Sequence, residues 1–404
     1  MKILFLCNKS PYPAREGGPI AMNMMIEGLI RAGHQVKVLA VNSEKYHVAP
    51  ESIPLSYREM TGIELVDIDL RIRIPDALLN LFSTKSYHVE RFISAAFRKK
   101  LLDILSVEKF DVVQFEMLFM SPYLGDVQRN SNAVTVLRAH NIEHLIWERM
   151  ARNEKSPLKK WYISHLAETL KNYELSVIKG YDGIAAITYK DAEFFQKIIQ
   201  GSGQAKPAVT DIPFGLDPGS YSSSREKIHF PSIFSLGAMD WLPNNEGIYW
   251  FLEKVWPELH RRFPDLRFYI AGRHMPEWLT NSRHENVEVI GEVEDAVQFM
   301  NSKAIMVVPL FSGSGIRIKI IEGMAAGKTI VSTSIGAEGI GYTNGENILI
   351  ADDPEEFIRQ IASCISDRGM FDSIGISART LIETSYNRDL LIQKLLAFYQ
   401  KIRG

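Results

Sequence analysis

Short apolar runs rich in β-forming residues alternate with helical stretches along almost the whole 404-residue chain, and this alternation constrains the fold more than any other feature. Residues 2–7 predict a buried strand, residues 19–32 a helix that begins at Pro19 and ends before Gly33, and residues 35–42 a second strand. Because strands that alternate with helices pair in parallel, we expect an α/β fold with a doubly wound, mostly parallel sheet.

The same pattern continues in two stretches separated by a segment rich in Gly, Pro and Ser between residues 201 and 231, which predicts a linker. The first stretch has further strands predicted at 63–70, 111–116, 133–139 and 183–188, and helices at about 88–106, 142–152, 157–179 and 189–200. The second has strands near 232–238, 266–271, 287–292, 303–309, 329–333 and 347–351, and helices near 244–262, 315–326 and 353–366. Helical stretches from about 369 to 402, interrupted around Tyr386-Asn387, end the sequence. Two α/β domains are therefore expected.

Charge and composition narrow the class of protein. Lys and Arg number 46 against 48 Asp and Glu, so the chain lacks the positive excess of a general nucleic-acid binder. The two cysteines, Cys7 and Cys364, fall in a predicted buried strand and a predicted amphipathic helix, which favours a reducing, cytoplasmic compartment. The apolar run 3–7 is too short for a signal peptide, and no run of about 18 apolar residues occurs, so we expect any membrane contact to be peripheral.

Basic residues concentrate in the first half of the chain, where residues 1–210 carry a net charge of +4 against −6 in the remainder. Two clusters stand out, Arg98-Lys99-Lys100 and the segment 155–161, in which Lys159 and Lys160 precede Trp161. Basic residues beside an aromatic ring can hold a helix at an anionic bilayer. A solvated helix face explains the same residues, so peripheral contact with the inner membrane surface is one of two hypotheses.

Gly17 and Gly18 lie in the loop after the first strand, directly before a predicted helix. Backbone N–H groups at a helix N-terminus bind phosphate, and this loop is long for its position. It lacks the G-x-G-x-x-G spacing of nicotinamide-binding domains, which disfavours a dehydrogenase. An ordinary glycine turn is the alternative interpretation.

His140 and Asn141 follow the predicted strand 133–139 directly, so His140 is expected to project from the carboxyl end of the sheet, where ligands bind. There it is placed to hydrogen-bond a phosphate or sugar hydroxyl or to transfer a proton. A capping or structural histidine is the alternative. A metal site with Glu143 and His144 is a weaker hypothesis, because the order differs from His-Glu-x-x-His and a third ligand is lacking.

Asp67 and Asp69 raise a second metal hypothesis, an Asp-x-Asp site, but they lie in the predicted alternating strand 63–70. The two-domain architecture also argues against the fold that uses such a site. We therefore expect no metal.

The densest motif is the segment 311–328, in which Gly313-Ser314-Gly315 precedes a predicted helix over 315–326. At helical spacing, Gly315, Lys319 and Glu322 share one face. This face suits a nucleoside diphosphate, with the phosphates at the glycine turn, Lys319 and Arg317 near their charge, and Glu322 accepting hydrogen bonds from the ribose. A solvated Lys319–Glu322 pair is the alternative.

In their order along the chain, these segments resemble the retaining glycosyltransferases of family 4, which have the GT-B fold. The resemblance covers essentially the whole length, and its most specific motif is Glu-Gly-Met-Ala-Ala-Gly-Lys at 322–328. The other segments that carry it are the glycine loop at 17–18, His140-Asn141, and residues 212–217, 234–237, 269–272 and 289–291.

This resemblance implies two Rossmann-like domains facing each other across a cleft, an acceptor-side domain over 1–212 and a nucleotide-sugar-binding domain over 213–386, with a C-terminal helix at about 387–404 packing back on the first. It implies transfer of a sugar from a nucleotide-diphosphate sugar to a hydroxyl of a glycan or lipid-linked glycan, as in polysaccharide biosynthesis. It also implies that the anomeric configuration is retained and that no metal or separate cofactor is used.

Site roles follow from the same resemblance. Gly17 and Gly18 are expected to contact the donor diphosphate or sugar, and His140 to lie beside the sugar and β-phosphate. Glu322 is expected to bind the ribose, and the backbone from Gly291 to Val293 the base. Asn141, Ser314 and Gly315 complete the predicted substrate-binding set.

Two departures from the family pattern bear on the donor. Ser314 stands eight positions before Glu322, where the family usually has a glutamate, and the stretch 237–246 contains neither the Arg nor the Lys common there. We expect Arg317 and Lys319 to replace these cations, because fixed positive charge stabilises a departing diphosphate. The predicted catalytic residues are therefore His140, Arg317 and Lys319.

Two other functions remain open from the sequence. A nucleotide-sugar 2-epimerase also pairs two Rossmann-like domains and would convert donor without an acceptor. A non-catalytic nucleotide-sugar-binding protein would bind a nucleoside diphosphate and transfer nothing.

Overall fold

The computed structural model describes residues 1–14, 17–81, 83–201, 207–221, 228–313 and 315–404. The chain divides into two compact units: unit 1 is Met1–Phe214 with Leu391–Gly404, and unit 2 is Gly215–Leu390. Each unit has a parallel sheet and its own apolar core. The predicted α/β fold with two Rossmann-like domains is confirmed.

The sheet of unit 1 has seven parallel strands in the order β3-β2-β1-β4-β5-β6-β7. Its central strands are almost wholly buried, as expected when helices cover both faces of a sheet. The strands are β1 (Lys2–Cys7), β2 (Gln35–Asn42), β3 (Glu64–Asp67), β4 (Val112–Glu116), β5 (Val134–Ala139), β6 (Gly183–Ala186) and β7 (Ala208–Asp211).

The helices before β7 differ in how they begin. α5 begins after Ser94, whose hydroxyl accepts a hydrogen bond from the Phe97 N–H, and α8 has Pro157 at its first position. The helices are α1 (Gly17–Arg31), α2 (Leu55–Thr61), α3 (Ile74–Asn80), α4 (Tyr87–Glu90), α5 (Ala95–Val107), α6 (Leu124–Asn130), α7 (Glu143–Asn153), α8 (Pro157–Val177) and α9 (Tyr189–Gly201).

The sheet of unit 2 has six parallel strands in the order β10-β9-β8-β11-β12-β13. With its strands numbered from the start of the unit this is the order 3-2-1-4-5-6, which is typical of the Rossmann fold, and β1 to β6 of unit 1 follow the same order. The strands are β8 (His229–Leu236), β9 (Arg267–Ala271), β10 (Val287–Gly291), β11 (Lys303–Val308), β12 (Thr329–Ser332) and β13 (Leu349–Ile350).

The helices that follow β8 include three that begin at an aspartate, Asp295, Asp353 or Asp367, whose carboxylate accepts a backbone N–H of the first turn. They are α10 (Leu242–Lys254), α11 (Trp256–Arg262), α12 (Glu277–Thr280), α13 (Ala296–Asn301), α14 (Ile318–Ala325), α15 (Pro354–Ser366), α16 (Arg368–Ser385) and α17 (Arg388–Arg403).

The last helix, α17, completes unit 1 rather than unit 2. Leu395 and Tyr399 are fully buried, and the Phe398 ring lies so close to β6 that a Cβ on Gly183 would be 2.8 Å from it. A residue larger than glycine at 183 would therefore force the Phe398 ring to shift.

The strand order reverses beside β1 in unit 1 and beside β8 in unit 2. In open α/β sheets, ligands bind outside the carboxyl ends of the strands at this reversal. We therefore expect functional side chains in the loops after β1, β4 and β5 of unit 1 and after β8 and β11 of unit 2.

Part of the predicted linker is not a linker. β7 (Ala208–Asp211) lies inside it and forms the edge of the unit 1 sheet. Residues 202–206 and 222–227 of the same stretch lie outside the described residues.

Candidate active site

His140 lies immediately after β5, as the sequence predicts, and is 9% exposed. Its Nε2 atom is 2.7 Å from Oε2 of Glu116, the last residue of the neighbouring strand β4. Glu116 is 1% exposed. A buried carboxylate that contacts an imidazole nitrogen fixes the orientation of the ring.

Behind Glu116 lies a chain of buried polar groups. Gln114, on the same face of β4, donates from Nε2 to Glu116 Oε1 at 2.5 Å, and its own Oε1 accepts a hydrogen bond from the Tyr399 hydroxyl of α17. Arg138 is paired with Glu116 in the β4–β5 register and donates to the carbonyls of Ala185 and Ala186. Burial lowers the pKa of Arg138 to about 10, and the nearby Glu116 charge opposes this. Glu116 is thus held between a cation and two hydrogen-bonding side chains.

The segment after His140 is held by a second buried carboxylate. Glu174 of α8 accepts the backbone N–H groups of Glu143 and His144, each at 3.1 Å, at the start of α7, and its Oε2 lies 2.6 Å from His144 Nδ1. The His144 ring therefore faces the buried Glu174 carboxylate. Asn141 Nδ2 lies 3.5 Å from Glu143 Oε1. Burial, with Glu174 nearby, raises the pKa of Glu143 to about 8.

Gly17 and Gly18 form the first turn of α1, which begins two residues before the predicted start at Pro19. Gly17 is exposed, and a Cβ on Gly18 would lie 3.2 Å from Cε of Lys9. The Lys9 side chain therefore lies over this turn. The first turn of α1 itself contains no acidic residue.

Lys319 of unit 2 lies in the first turn of α14, and its Nζ donates to Asn244 Oδ1 at 2.7 Å. Asn244 in turn donates to the Ala238 carbonyl in the loop after β8, at 2.8 Å. The pair joins the loops after β8 and β11 at the strand-order reversal. Burial of the ammonium group, with Arg317 nearby, lowers the pKa of Lys319 to about 7.

Arg317 directly precedes α14 and is 5% exposed. Its guanidinium donates to the Gly315 carbonyl and lies 5.6 Å from the centroid of the Trp241 ring. Arg317 therefore holds the glycine turn against the loop after β8. Its charge lies near enough to Lys319 to act on that ammonium group.

The predicted helix start at Gly315 is wrong, because α14 begins at Ile318. Gly315 has a φ of +78° and Gly313 a φ of +113°, and left-handed backbone of this kind cannot continue a right-handed helix. Gly315 thus precedes the helix and does not share the helical face of Lys319 and Glu322. Ser314 lies outside the described residues.

Glu322 is on α14, one turn beyond Lys319, and its Oε1 accepts a hydrogen bond from the Tyr221 hydroxyl at 3.1 Å. Burial raises the pKa of the Glu322 carboxyl. Arg379 of α16 donates to the carbonyls of Tyr221, Ala325 and Pro218, so the segment that carries Tyr221 is anchored to α14 and α16.

Gly291 and Val293, predicted to contact the base, lie at the carboxyl end of the edge strand β10 and just after it. Gly291 has a φ of +80°, its carbonyl accepts the Gly272 N–H at 2.8 Å, and a Cβ there would meet open space. Val293 is half-buried. Gly291 and Val293 therefore lie at the same end of the sheet as the start of α14. The strands β9 and β8 lie between β10 and β11, the strand that precedes α14.

The Asp-x-Asp hypothesis is not favoured by the local contacts. Asp67 accepts a hydrogen bond from Asn42 at 2.8 Å, and Asp69 forms ion pairs with Arg71 and Arg73, each at 3.0 Å. Within the described residues no group of three or more His, Cys, Asp or Glu side chains is arranged to hold a metal ion.

The sequence did not predict three residues that hydrogen-bond to predicted site residues: Glu116, Asn244 and Tyr221. Glu116 ends a buried strand beside the strand-order reversal, and Asn244 lies in the stretch where the family usually has cations. The sequence positions of these two residues could therefore have indicated the site. The position of Tyr221 could not, because Tyr221 and Glu322 are distant in the sequence and meet only in the folded structure.

Residues 230–367, wholly within unit 2, match the family described as Glycosyl transferases group 1. An uncharacterized 44.6 kDa protein in cps region of Klebsiella pneumoniae is 24% identical over 399 residues, 96% of each chain. Phosphatidyl-myo-inositol mannosyltransferase of Mycobacterium tuberculosis is 22% identical over 210 residues, which are 48% of this chain and 55% of that enzyme.

Solved structures are similar over the full length. Sucrose-phosphate synthase from Thermosynechococcus elongatus has a TM-score of 0.70 at 12% identity, covering 100% of this chain and 99% of that one. Anabaena HepE in complex with UDP has a TM-score of 0.67 at 14% identity, covering 99% and 100%. These likenesses show the GT-B fold, and residues 230–367 of this chain are similar to the glycosyl transferases of group 1.

Proposed function

We propose that this protein transfers a sugar from a nucleotide-diphosphate sugar to a hydroxyl of a glycan or lipid-linked glycan, with retention of anomeric configuration and without a metal ion. The M. tuberculosis relative is named a mannosyltransferase, and Anabaena HepE has been solved with UDP and with UDP-glucose. Both names favour a nucleotide-sugar donor. The relative from a cps region is in keeping with a role in polysaccharide biosynthesis.

One observation carries the proposal: a cation and a carboxylate lie one turn apart on α14, at the edge of the unit 2 sheet where ligands bind. The Lys319 ammonium, held by Asn244, suits a diphosphate, and the Glu322 carboxylate suits the two hydroxyls of a ribose. The family match covers this helix.

In the reaction we propose, the bond between the sugar C1 and the diphosphate oxygen breaks and a bond from C1 to the acceptor oxygen forms. The acceptor attacks the face from which the diphosphate departs, so configuration is retained, and a phosphate oxygen takes the acceptor proton. Lys319 and Arg317 stabilise the charge that develops on the diphosphate. His140 hydrogen-bonds the sugar or β-phosphate, and no protein nucleophile is required.

A thermal-shift screen of the full chain against nucleoside diphosphates and their sugars, beginning with UDP and UDP-glucose, tests the donor assignment. A ligand present at 100 times its Kd adds about 2.7 kcal/mol to the free energy of unfolding, which is readily detected. The best donor is then incubated with candidate glycan acceptors. NMR of the product reports the anomeric configuration, and a parallel reaction in EDTA tests metal independence.

The screen also separates the alternatives that the comparisons do not favour. Conversion of the donor sugar without an acceptor would identify an epimerase, and binding without any conversion or transfer across the acceptor panel would identify a non-catalytic binding protein. An inverted product would overturn the retaining mechanism while leaving the glycosyltransferase assignment in place.

We further propose that the protein acts in the cytoplasm and contacts the inner membrane surface through the start of α8. Leu158 is 81% and Trp161 61% exposed there, beside exposed Lys159 and Lys160, a combination that suits an anionic bilayer. The cluster Arg98-Lys99-Lys100 is less suited to binding an anionic bilayer, because Arg98 forms an ion pair with Asp126 at 2.8 Å. None of the described helices is both long and apolar enough to cross a membrane.

Co-sedimentation with vesicles tests this contact. We expect binding to mixed phosphatidylglycerol and phosphatidylcholine vesicles, weakened by salt, and loss of binding in the double variant Leu158→Ser with Trp161→Ser. Val107→Ser is the matched control, because Val107 is 84% exposed at the end of α5. Equal binding of the double variant and the control would show that α8 is an ordinary solvated helix.

A further inference from the structure

Tyr221 contacts the predicted ribose-binding carboxylate, Glu322, from a segment 101 positions earlier in the chain. Its hydroxyl donates to Glu322 Oε1 at 3.1 Å, and both side chains are half-buried. Among the described residues, no other side chain hydrogen-bonds or ion-pairs with this carboxylate. Lys319, one turn earlier on α14, donates to Asn244 instead. The Tyr221 hydroxyl is therefore the group that fixes the orientation of the Glu322 carboxylate.

The turn that carries Tyr221 is closed by its own hydrogen bonds. The Asp217 carboxylate accepts the Gly219 N–H at 2.9 Å and the Ser220 hydroxyl at 3.2 Å. The Tyr221 N–H donates to the Pro218 carbonyl at 3.2 Å. The backbone that leads into Tyr221 is thus folded before any ligand binds.

This turn is also bonded to two helices of unit 2. Arg379 of α16 donates from Nη1 to the Tyr221 carbonyl at 2.7 Å and to the carbonyl of Ala325, the last residue of α14, at 2.6 Å. Before the turn, the Leu216 N–H donates to the carbonyl of Tyr386, which directly follows α16, at 3.0 Å. Tyr221 therefore stands on a segment that is fixed relative to the helix of Glu322.

Two roles are open to a hydroxyl at this carboxylate. It could occupy the place of a ribose hydroxyl and have to leave when a nucleotide binds, or it could stay and hold the carboxylate for the ribose. A carboxylate has about four lone-pair sites, so one bond from Tyr221 leaves room for both ribose hydroxyls. The anchored turn also favours a hydroxyl that stays, because the Tyr221 backbone cannot move away without losing its bond to Arg379.

The hydroxyl acts on the charge of the carboxylate as well. Burial raises the pKa of Glu322, and the hydrogen bond from Tyr221 opposes this shift. An ionised carboxylate accepts hydrogen bonds on both oxygens, whereas the protonated acid uses part of this capacity for its own proton. Tyr221 therefore favours the form of Glu322 that two ribose hydroxyls require.

We propose that Tyr221 is a positioning residue for the donor: its hydroxyl holds the Glu322 carboxylate for the two hydroxyls of a ribose, and so strengthens a preference for ribonucleotides over 2′-deoxyribonucleotides. This inference rests on the proposed function, which assigns the ribose to Glu322. Orienting a flexible side chain in advance removes an ordering cost from binding. Only a ligand with hydroxyls for the carboxylate gains from this.

Calorimetric titration of the full chain with UDP, GDP and ADP, each compared with its 2′-deoxy form, tests the inference. The wild type should bind its best ribonucleotide about 10- to 100-fold more tightly than the deoxy form, which lacks one hydrogen bond to a charged acceptor. In Tyr221→Phe this preference should fall about 3- to 10-fold. In a Glu322→Ala background, Tyr221→Phe should have no further effect on affinity, because the carboxylate that it positions is gone.

Tyr269→Phe is the matched control. It removes another tyrosine hydroxyl of unit 2, one that lies 3.3 Å from His229 Nδ1 on β8. The variant should keep the affinity of the wild type and its preference for the ribonucleotide.

The pH dependence of ribonucleotide binding gives a readout that a structural role would not change. Affinity should fall as pH decreases through the pKa of Glu322, because the protonated carboxyl accepts fewer hydrogen bonds. Loss of the Tyr221 hydroxyl raises that pKa further, so in Tyr221→Phe the fall should begin at a higher pH. Titration of the nucleotide, and of Lys319 one turn away, is common to both proteins.

The inference is wrong if Tyr221→Phe binds the ribonucleotide as tightly as the wild type or more tightly, and tighter binding would identify a competing hydroxyl. It is also wrong if both forms of the nucleotide lose affinity equally or if the pH profile is unchanged, because either result indicates a structural role. Equal binding of the two forms by the wild type refutes the ribose assignment together with this inference. If none of the three nucleoside diphosphates binds to the wild type, the proposed function itself is refuted.

Discussion

His140 Nε2 and Glu116 Oε2 lie 2.7 Å apart at the carboxyl ends of two adjacent strands, β5 and β4. The carboxylate is 1% exposed, so its hydrogen bonds to protein groups replace those it would make with water. The imidazole is consequently held in one orientation before substrate binds. Glu116 is thus a positioning residue for His140.

Replacing either member of this pair is expected to lower turnover while leaving nucleotide binding largely intact. His140→Ala removes the ring, and Glu116→Gln keeps the shape of the side chain but removes the carboxylate that contacts the imidazole. A loss of kcat of about 10²-fold or more is expected for His140→Ala, the scale of a single proton-transferring or charge-stabilising group. Steady-state kinetics with the donor identified by the screen, at several pH values, checks this.

The double variant gives the control. If Glu116 acts through His140, the two losses will not add, because Glu116→Gln has nothing left to orient once the ring is gone. Additive losses, or a Glu116→Gln variant with an unchanged pH profile of kcat, would show that the carboxylate has only a structural role.

Glu322→Ala is expected to weaken nucleoside diphosphate binding by about 10- to 100-fold, because hydrogen bonds from the ribose hydroxyls to a carboxylate are lost. Calorimetric titration with the best nucleotide measures the change. Glu346→Ala, at an exposed carboxylate of unit 2, is the control and should bind normally. Unchanged affinity in Glu322→Ala would remove the ribose assignment.

The lowered pKa of Lys319, about 7, makes diphosphate affinity depend on pH. Below this value the free protein already carries the cation; above it, binding of an anion must first restore the proton. Affinity should therefore fall as pH rises above about 7, with net proton uptake on binding. Calorimetry in two buffers of different ionisation enthalpy measures the uptake.

Lys319→Gln is the comparison for this measurement, because titration of the nucleotide itself is common to both proteins. The variant should bind more weakly at about pH 6 and show less proton uptake near neutral pH. Identical uptake in the two proteins would show that Lys319 does not meet the diphosphate. An unchanged affinity and rate in both Lys319→Ala and Arg317→Ala would refute their role as replacement cations.

Glu143 ties the stability of unit 1 to pH. Its pKa is raised from 4.5 to about 8 by burial and by Glu174, so between these values the folded chain keeps a proton that the unfolded chain releases. The free energy of unfolding should therefore decrease as pH rises through this window, by at most about 1.4 kcal/mol per pH unit from this group.

Urea unfolding of Glu143→Gln at several pH values tests this dependence of the free energy of unfolding on pH. The variant should gain stability relative to wild type as pH rises from about 5 to about 8, since an amide has no proton to lose. Glu168→Gln, at an exposed carboxylate of α8, should track wild type. Parallel curves for all three proteins would indicate that Glu143 is ionised in the folded state.

Elements with a continuous apolar run were predictable, because burial on both faces of a parallel sheet requires such runs. β1 and β2 match their predicted ranges, whereas β7 was missed because it lies among Gly and Pro residues that predict a loop. The start of α14 was also misplaced: Gly315 was assigned to a helix that its positive φ forbids.

Among the site residues, the sequence positions of His140 and Glu322 were enough to predict them. Glu116 and Tyr221 required the tertiary structure, because sequence periodicity does not indicate contacts between distant segments.

The burial of Tyr399 and Phe398 in unit 1 has a consequence for how the protein is made. During synthesis the ribosome releases strands β1 to β7 first, but the helix that covers Gly183 follows about 180 residues later, roughly 10–40 s afterwards at typical elongation rates. Over that interval the nascent first unit lacks the helix that covers Gly183, so the apolar surface beneath α17 stays uncovered until the end of synthesis.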